Sequence, residues 1–163
     1  MARSAKPRKK YRPKPVIQNP IEYAISGMRP LGGAGTNIRI GYHLAMQNLT
    51  KGSGTLRDWQ DIADALNVGI VLAERGLGKE YLPELKKATY AHLELRDRFK
   101  KTGRMIYRAE EMTAINEALE IHDAQMEASV VKDVELAVAE VNKRLKHRHF
   151  LTKPSEPSPP SPQ

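Results

Sequence analysis

Apolar residues recur at intervals of three and four positions through most of the chain between residues 19 and 150. This spacing places them on one face of an α-helix, whereas a strand would show strict alternation. The pattern predicts an all-α fold, a helical bundle of four to six helices with a long C-terminal helix. Only "GRMIY", residues 103–107, is compatible with a short extended piece.

The first two predicted helices lie on either side of a glycine-rich segment. Asn19 as N-cap, Pro20 in the first turn and Gly27 as a stop define a short helix. Thr36 is placed to cap a second helix that runs to about Leu49. The apolar residues available for the inner face of this second helix are Ile40, Leu44 and Ala45.

The segment between these helices, "RPLGGAG" at residues 29–35, is predicted to be a flexible connector. Together with the following residues it contains "GGAGTNIRIG". This run lacks the third glycine of a dinucleotide-binding loop and the lysine followed by serine or threonine of a P-loop. We therefore expect no phosphate-binding loop in this segment.

The third predicted helix has the clearest local signals. Thr55 stands three residues before Asp58, a spacing close to that of the capping box. Gly76 and Gly78 end the helix. Its apolar stripe consists of Trp59, Ile62, Ala63, Leu66, Ile70 and Ala73.

A helix-turn-helix is the alternative interpretation of "DIADALNVGIVLAERGLG", residues 61–78. Ala63, Asn67 and Val68 are of the residue types found around such a turn. A recognition helix must present polar side chains to bases, yet residues 70–73 are all apolar. The pattern favours one uninterrupted amphipathic helix.

The last part of the pattern predicts a fourth helix and then a long one. Pro83 fits the first turn of the fourth helix, which "KKTG" ends at residues 100–103. From Ala109 to about Lys146 the stripe continues as one helix or two, and the adjacent β-branched pair Val130 and Val131 is the favoured bend. An unbroken helix would span about 57 Å. It would leave part of its stripe uncovered and favour self-association into a homo-oligomer.

Composition divides the chain into three parts. Residues 1–18 have no apolar periodicity and hold three prolines, so they are predicted to be a disordered basic arm. Residues 19–150 form the predicted helical domain. Residues 151–163, rich in proline and serine, are predicted to be a disordered tail.

Composition also excludes several functional classes. The chain has no cysteine, so disulfides, thiolate metal sites and thiol nucleophiles are absent. The basic start is followed by no apolar run of the length found in a signal peptide, and no stretch approaches the ~20 apolar residues of a membrane span. We expect a cytoplasmic protein that makes no membrane contact.

The formal charge of +8 is concentrated at the ends of the chain. Residues 1–18 hold seven cations and no acid, and residues 143–163 hold five cations and one acid. Residues 19–142 therefore carry three more acids than cations. This distribution disfavours a cationic groove across the helical domain and points to the two ends.

Both ends are candidates for contact with DNA or RNA, because closely spaced cations can follow a phosphate backbone and a tyrosine can stack on a base. A solubilising arm, and cations that complement the dipole of the last helix, are the simpler explanations. The candidate nucleic-acid-binding residues are Arg8, Lys9, Lys10, Tyr11, Arg12, Lys14, Lys143, Arg144, Lys146 and Arg148.

An acidic face is predicted on the long helix, since residues 109–131 hold six acids and neither lysine nor arginine. Glu117, Glu120 and Asp123 are the candidate protein-binding residues, for a basic partner surface or for the protein's own arm. His122 and His92 lie on apolar stripes, so we expect buried, hydrogen-bonded side chains rather than metal ligands or acid–base catalysts. No cofactor, metal or enzymatic activity is predicted.

Three stretches together show a resemblance to known sequences: "YRPKP", "TLRDWQDIADALNVGIVLAERGLG" and "LEIHDAQME". They resemble uncharacterised small helical proteins of proteobacteria and of their phages and plasmids. The resemblance implies a bacterial or phage-infected host cell and no particular activity.

Two functional hypotheses follow. The first is a non-enzymatic, oligomeric nucleic-acid-associated protein that uses its basic arm on a helical core. The alternative is a helical adaptor or inhibitor from a mobile genetic element that acts on a host protein.

Overall fold

The structure is a computed structural model that describes residues 27–147. In this range the chain is helical and contains no strand, so the predicted all-α class is confirmed there. The predicted arm, most of the helix after Asn19, and the tail lie outside the described residues, as does Arg148. The elements are α1 (Gly32–Lys51), α2 (Leu56–Glu74), a short 3-10 helix (Lys79–Tyr81), α3 (Leu82–Thr102), α4 (Ala109–Ala128) and α5 (Val131–Lys146).

Helix α1 begins four residues before the predicted cap Thr36, so the predicted glycine connector is wrong at residues 32–35. Gly35 is buried in the first turn, where a Cβ would lie 2.9 Å from the Cβ of Leu31. The missing side chain allows Leu31 to fold over the start of the helix. Local packing therefore outweighs the low helix propensity of glycine.

The inner face of α1 also differs from the prediction. Ile40 and Leu44 are 60% and 54% exposed. Tyr42 points inward instead, and its hydroxyl donates a hydrogen bond to Asp123 of α4. The side chains that α1 buries are Tyr42, Ala45, Met46 and Leu49.

Helix α2 is the central helix, and it packs against all four others. Its predicted capping box is confirmed: Asp58 N–H donates to Thr55 Oγ1 at 3.2 Å, and Thr55 N–H donates to Asp58 Oδ2 at 2.7 Å. The helix runs without a turn from Leu56 to Glu74, so the interpretation as one uninterrupted helix is confirmed. Its buried side chains form the core of the bundle together with Leu49, Leu85, Leu95, Ile115 and Leu119.

The predicted bend between α4 and α5 is confirmed. Ser129 and Val130 adopt extended backbone angles, and the two helices end and begin on either side of them. The N–H of Val131 donates to the carbonyl of Arg29 at 2.9 Å, and Pro30 forms an isolated β-bridge with Val130. Because the long helix is broken, its length gives no reason to expect an uncovered apolar stripe or self-association.

Candidate nucleic-acid interface

Two stretches that are distant in sequence meet at one end of the bundle: the C-terminus of α1, and the last turn of α3 with the loop 103–108 that follows it. The N–H of Tyr107 donates to the carbonyl of Leu49 at 3.3 Å. A Cβ on Gly52, which ends α1, would lie 3.3 Å from Cδ1 of Ile106. The loop therefore lies directly against the end of α1.

The loop 103–108 is held by buried side chains. Met105 and Tyr107 are buried, whereas Arg104, Ile106 and Arg108 between and beside them are exposed. This alternation is that of an extended chain, although the loop pairs with no strand in the described range. The hydroxyl of Tyr107 lies 2.6 Å from Nδ1 of His92, so the loop is bonded to the interior of the bundle.

An ion pair holds the same loop from its outer side. Arg98 donates two hydrogen bonds to the carboxylate of Glu111, at 2.5 and 2.6 Å, and a third to the carbonyl of Ile106 at 2.8 Å. Burial alone would raise the pKa of Glu111, but the hydrogen bonds from Arg98 and from the Arg108 N–H outweigh it and hold the pKa below its usual value. Glu111 is therefore a carboxylate engaged in structure, and the nearby charge of Arg108 also helps to hold its pKa down.

Five cations lie on these segments, and we call this part of the surface the basic end. All five are exposed, and none forms an ion pair with any residue in the described range 27–147. The basic end consists of Lys51, Lys100, Lys101, Arg104 and Arg108.

Helix dipoles account for part of the basic end. Lys51, Lys100 and Lys101 lie in the last turns of α1 and α3, where a cation complements the negative end of the dipole. Arg104 and Arg108 have no such role, because both lie on the loop that precedes α4. Arg104 is thus displayed on a fixed loop without a structural requirement for its charge, whereas Arg108 lies close enough to Glu111 to interact with its charge.

The predicted cations of α5 are placed differently. Arg144 donates to Glu74 of α2 at 2.6 Å and to Glu140 at 3.1 Å, so it attaches α5 to α2. Lys143 lies 3.5 Å from Glu140, whereas Lys146 is exposed at the helix end. Of the three, Arg144 is the least available to an external phosphate. The other predicted nucleic-acid-binding residues lie outside the described part of the chain.

The predicted acidic face is divided in the structure. Glu117 and Glu120 are exposed. Asp123 is half-buried against α1, where it accepts a hydrogen bond from Tyr42 and lies 2.8 Å from Nε2 of His43. Asp123 therefore belongs to the contact between α1 and α4, and only the first two carboxylates remain open to a partner.

Both predicted buried histidines are confirmed as buried and hydrogen-bonded. Burial lowers the pKa of His92 to about 4 and also lowers the pKa of His122, whose Nδ1 lies 3.3 Å from Gln125 Oε1. Both rings are therefore neutral at pH 7. Within residues 27–147 no three His, Asp or Glu side chains come together as a metal site.

The basic end could not be predicted from the sequence because Lys51 lies about fifty residues before the other four cations. The net charge of residues 19–142 also hid these cations, because it sums them with acids elsewhere in that range. The run "KKTGR" at residues 100–104 was the available signal, since its three cations have no neighbouring acid.

Comparison with known proteins gave no match to a protein-family model, a curated protein or a solved structure. None of the described helices has the length and apolar character needed to cross a membrane.

Proposed function

We propose that the protein is a non-enzymatic nucleic-acid-binding protein that contacts phosphates with the basic end and with the arm of residues 1–18. The observation that carries the proposal is the basic end itself, five exposed cations at one end of the bundle that form no ion pair within residues 27–147. Phosphate contact is the commonest use of such a surface, since it releases condensed counterions from the nucleic acid.

The arm would add further contacts to this fixed surface. Its candidate residues are Arg8, Lys9, Lys10, Tyr11, Arg12 and Lys14, which combine cations with one ring that can stack on a base. A cationic segment on the same chain as a folded basic surface lets a protein follow a backbone without reading its sequence. The setting proposed is the cytoplasm of a bacterial or phage-infected cell.

The test is a salt titration of binding to labelled duplex DNA and single-stranded RNA by fluorescence anisotropy. The variant carries Lys100→Glu, Lys101→Glu and Arg104→Glu. The control carries Lys79→Glu, Lys87→Glu and Lys132→Glu, which make the same change in net charge at exposed positions on other parts of the fold.

The first variant is expected to weaken binding at least about tenfold more than the control. It should also reduce the salt slope by about 0.9 for each duplex phosphate that the protein no longer neutralises. Equal weakening in the two triple variants would show that only net charge matters. In that case the basic end is not a site.

A second candidate function, a helical adaptor that binds a host protein, is favoured by the outer face of α1. Ile40 and Leu44 are exposed there beside Arg39 and His43, around a shallow depression of about 520 Å³. An apolar pair rimmed by polar groups is typical of protein interfaces. Glu117 and Glu120 are the acids that remain available to a basic partner.

The same outer face is the proposed contact between two copies of the chain. Replacement of Ile40 and Leu44 by Asp should abolish binding to a host protein, and it should also abolish self-association. Nucleic-acid binding should remain intact. Analytical ultracentrifugation of the variant and of the unaltered chain measures self-association. An unchanged sedimentation coefficient would remove this face as a self-association surface.

A further inference from the structure

A second surface of the molecule, away from the basic end, is a groove between α1, α2 and α5. Its volume is about 370 Å³. One rim carries the carboxylates of Asp61 and Asp64. The lining is otherwise largely apolar and includes Ile38, Ala65, Val68, Met126, Val134 and Val138.

Part of the apolar lining is exposed. Val138 of α5 is 41% exposed and Ile38 of α1 is 47% exposed. Exposed apolar side chains that line one groove gain free energy when an apolar group covers them. The groove therefore favours an apolar occupant.

The described part of the chain begins at the edge of this groove. A Cβ on Gly27 would lie 3.2 Å from the Cβ of Lys132, in the first turn of α5. The carbonyl of Arg29 accepts a hydrogen bond from Val131 at 2.9 Å. Val131 and Val134 are three residues apart and share one face of α5, and Val134 lines the groove, so the residues that precede Gly27 start within reach of it.

The preceding segment has the matching composition. Residues 16–26, "VIQNPIEYAIS", hold apolar residues at the helical spacing of Ile17, Ile21 and Ile25. Six residues of helix cover about 9 Å, which is the distance from Gly27 back to Ile21 and also from Lys132 to Val138 along α5. A helix or a more extended chain can therefore bring Ile21 to Val138.

Charge favours the same occupant. Asp61 and Asp64 each use one carboxylate oxygen for a neighbour on α2, Arg57 at 2.9 Å and Gln60 at 2.8 Å. Arg57 lies on the same rim, but Asp64 is exposed there, so a cation that precedes an occupant of the groove can approach its carboxylate. The seven cations of residues 1–18 directly precede the apolar segment and can supply it.

We infer that residues 16–26 of the same chain dock in the groove between α1, α2 and α5, with the cations before them drawn to Asp61 and Asp64. The docked segment would cover Val138 and Ile38 and would fix the position from which the arm extends. This inference does not depend on nucleic-acid binding.

The absence of cysteine from the sequence makes a direct test possible in the full chain. The variant Ile21→Cys with Val138→Cys contains the only two thiols. The control is Ile21→Cys with Ile40→Cys, because Ile40 is also apolar and at 60% exposed is more accessible than Val138. Disulfide formation is followed under mild oxidation at low protein concentration on a non-reducing gel.

The docked segment should give an intramolecular disulfide with Val138→Cys at least about tenfold faster than with Ile40→Cys. Adding Asp61→Asn and Asp64→Asn should slow the first reaction and leave the second unchanged. Equal rates in the two pairs would overturn the inference. A disulfide between two chains would overturn it as well, since the occupant would then be a second copy.

Discussion

The imidazole of His92 lies face to face with the indole of Trp59, with ring centroids 4.6 Å apart and ring planes 11° from parallel. Nε2 of His92 lies 2.9 Å from the carbonyl oxygen of Trp59, so it carries the hydrogen and donates. In the neutral ring Nδ1 is then an acceptor, and the hydroxyl of Tyr107 donates to it at 2.6 Å. This one cluster of rings joins α2, α3 and the loop that carries Arg104.

The buried histidines predict a loss of stability in acid. The pKa of His92 is about 4 in the folded chain, below the usual 6.5, so the unfolded chain binds more protons between these values. The contribution of His92 to the free energy of unfolding should therefore be fully present above pH 6.5 and fall as the pH drops towards 4. From His92 alone we expect a decrease of roughly 2 kcal/mol between pH 7 and pH 5.

Urea unfolding at the two pH values measures this decrease. His92→Gln should reduce it, because a glutamine side chain does not titrate in this pH range. An unfolding free energy that is the same at pH 7 and pH 5 would contradict the neutral, buried assignment of His92.

Tyr107→Phe tests the hydrogen bond that the loop makes to the core. The substitution leaves Nδ1 of His92 buried without a donor, which costs about 1–3 kcal/mol of unfolding free energy. The matched control is Tyr81→Phe, because Tyr81 is 47% exposed. The control should change stability by less than about 0.5 kcal/mol in the same urea experiment. Similar effects of the two substitutions would mean that the hydroxyl of Tyr107 contributes nothing to stability.

Glu111→Gln tests the outer attachment of the same loop. Arg98, whose side chain is 17% exposed, would keep its charge and lose its carboxylate partner. Stability should fall by about 2–3 kcal/mol, and the amide of Tyr107 should exchange its hydrogen faster. Glu110→Gln removes the same charge at an exposed neighbouring position. If the Tyr107 amide exchanges equally fast in both variants, the ion pair does not hold the loop.

Two glycines inside helices should respond in opposite ways to alanine. A Cβ on Gly41 in α1 would meet no atom of residues 27–147 within 4 Å, so Gly41→Ala should raise the unfolding free energy by about 0.5–1 kcal/mol. A Cβ on Gly69 in α2 would lie 3.2 Å from Gln125 Oε1 and 3.3 Å from Leu85 Cδ2. Gly69→Ala should therefore lower the unfolding free energy by about 1–3 kcal/mol. Thermal or urea unfolding of both variants measures these changes. Stabilisation by Gly69→Ala would show that the side chains around Gly69 move to accommodate the added methyl group.

Features encoded within a few residues could be predicted from the sequence. The reciprocal bonds of Thr55 and Asp58 depend only on a three-residue spacing, and the bend at Val130 follows from adjacent β-branched side chains. The start of α1 could not be predicted, because helix propensity disfavours glycine and does not include the packing of Leu31 over Gly35. The orientation of α1 was also missed, since it depends on a hydrogen bond between Tyr42 and Asp123, 81 positions apart.

The candidate site was harder to predict than the fold. Runs of cations near the chain ends are visible in the sequence, but the basic end combines Lys51 with residues 100–108 only after α1 and α3 pack. The sequence also could not indicate that Arg144 is bonded to Glu74, because that pair joins helices 70 positions apart. The sequence thus shows where the cations are but not which of them form ion pairs in the folded chain.

The bond between Val131 and Arg29 has a mechanical consequence. A pull on the chain before Gly27 is transmitted first to the two extended residues between α4 and α5, since that is where residues 29 and 30 are attached. The helical core around α2 would carry the load only after this joint has opened. The joint would act as a weak link in series, so that tension from a partner on the arm would detach residues 29 and 30 from the bend before it loaded α1.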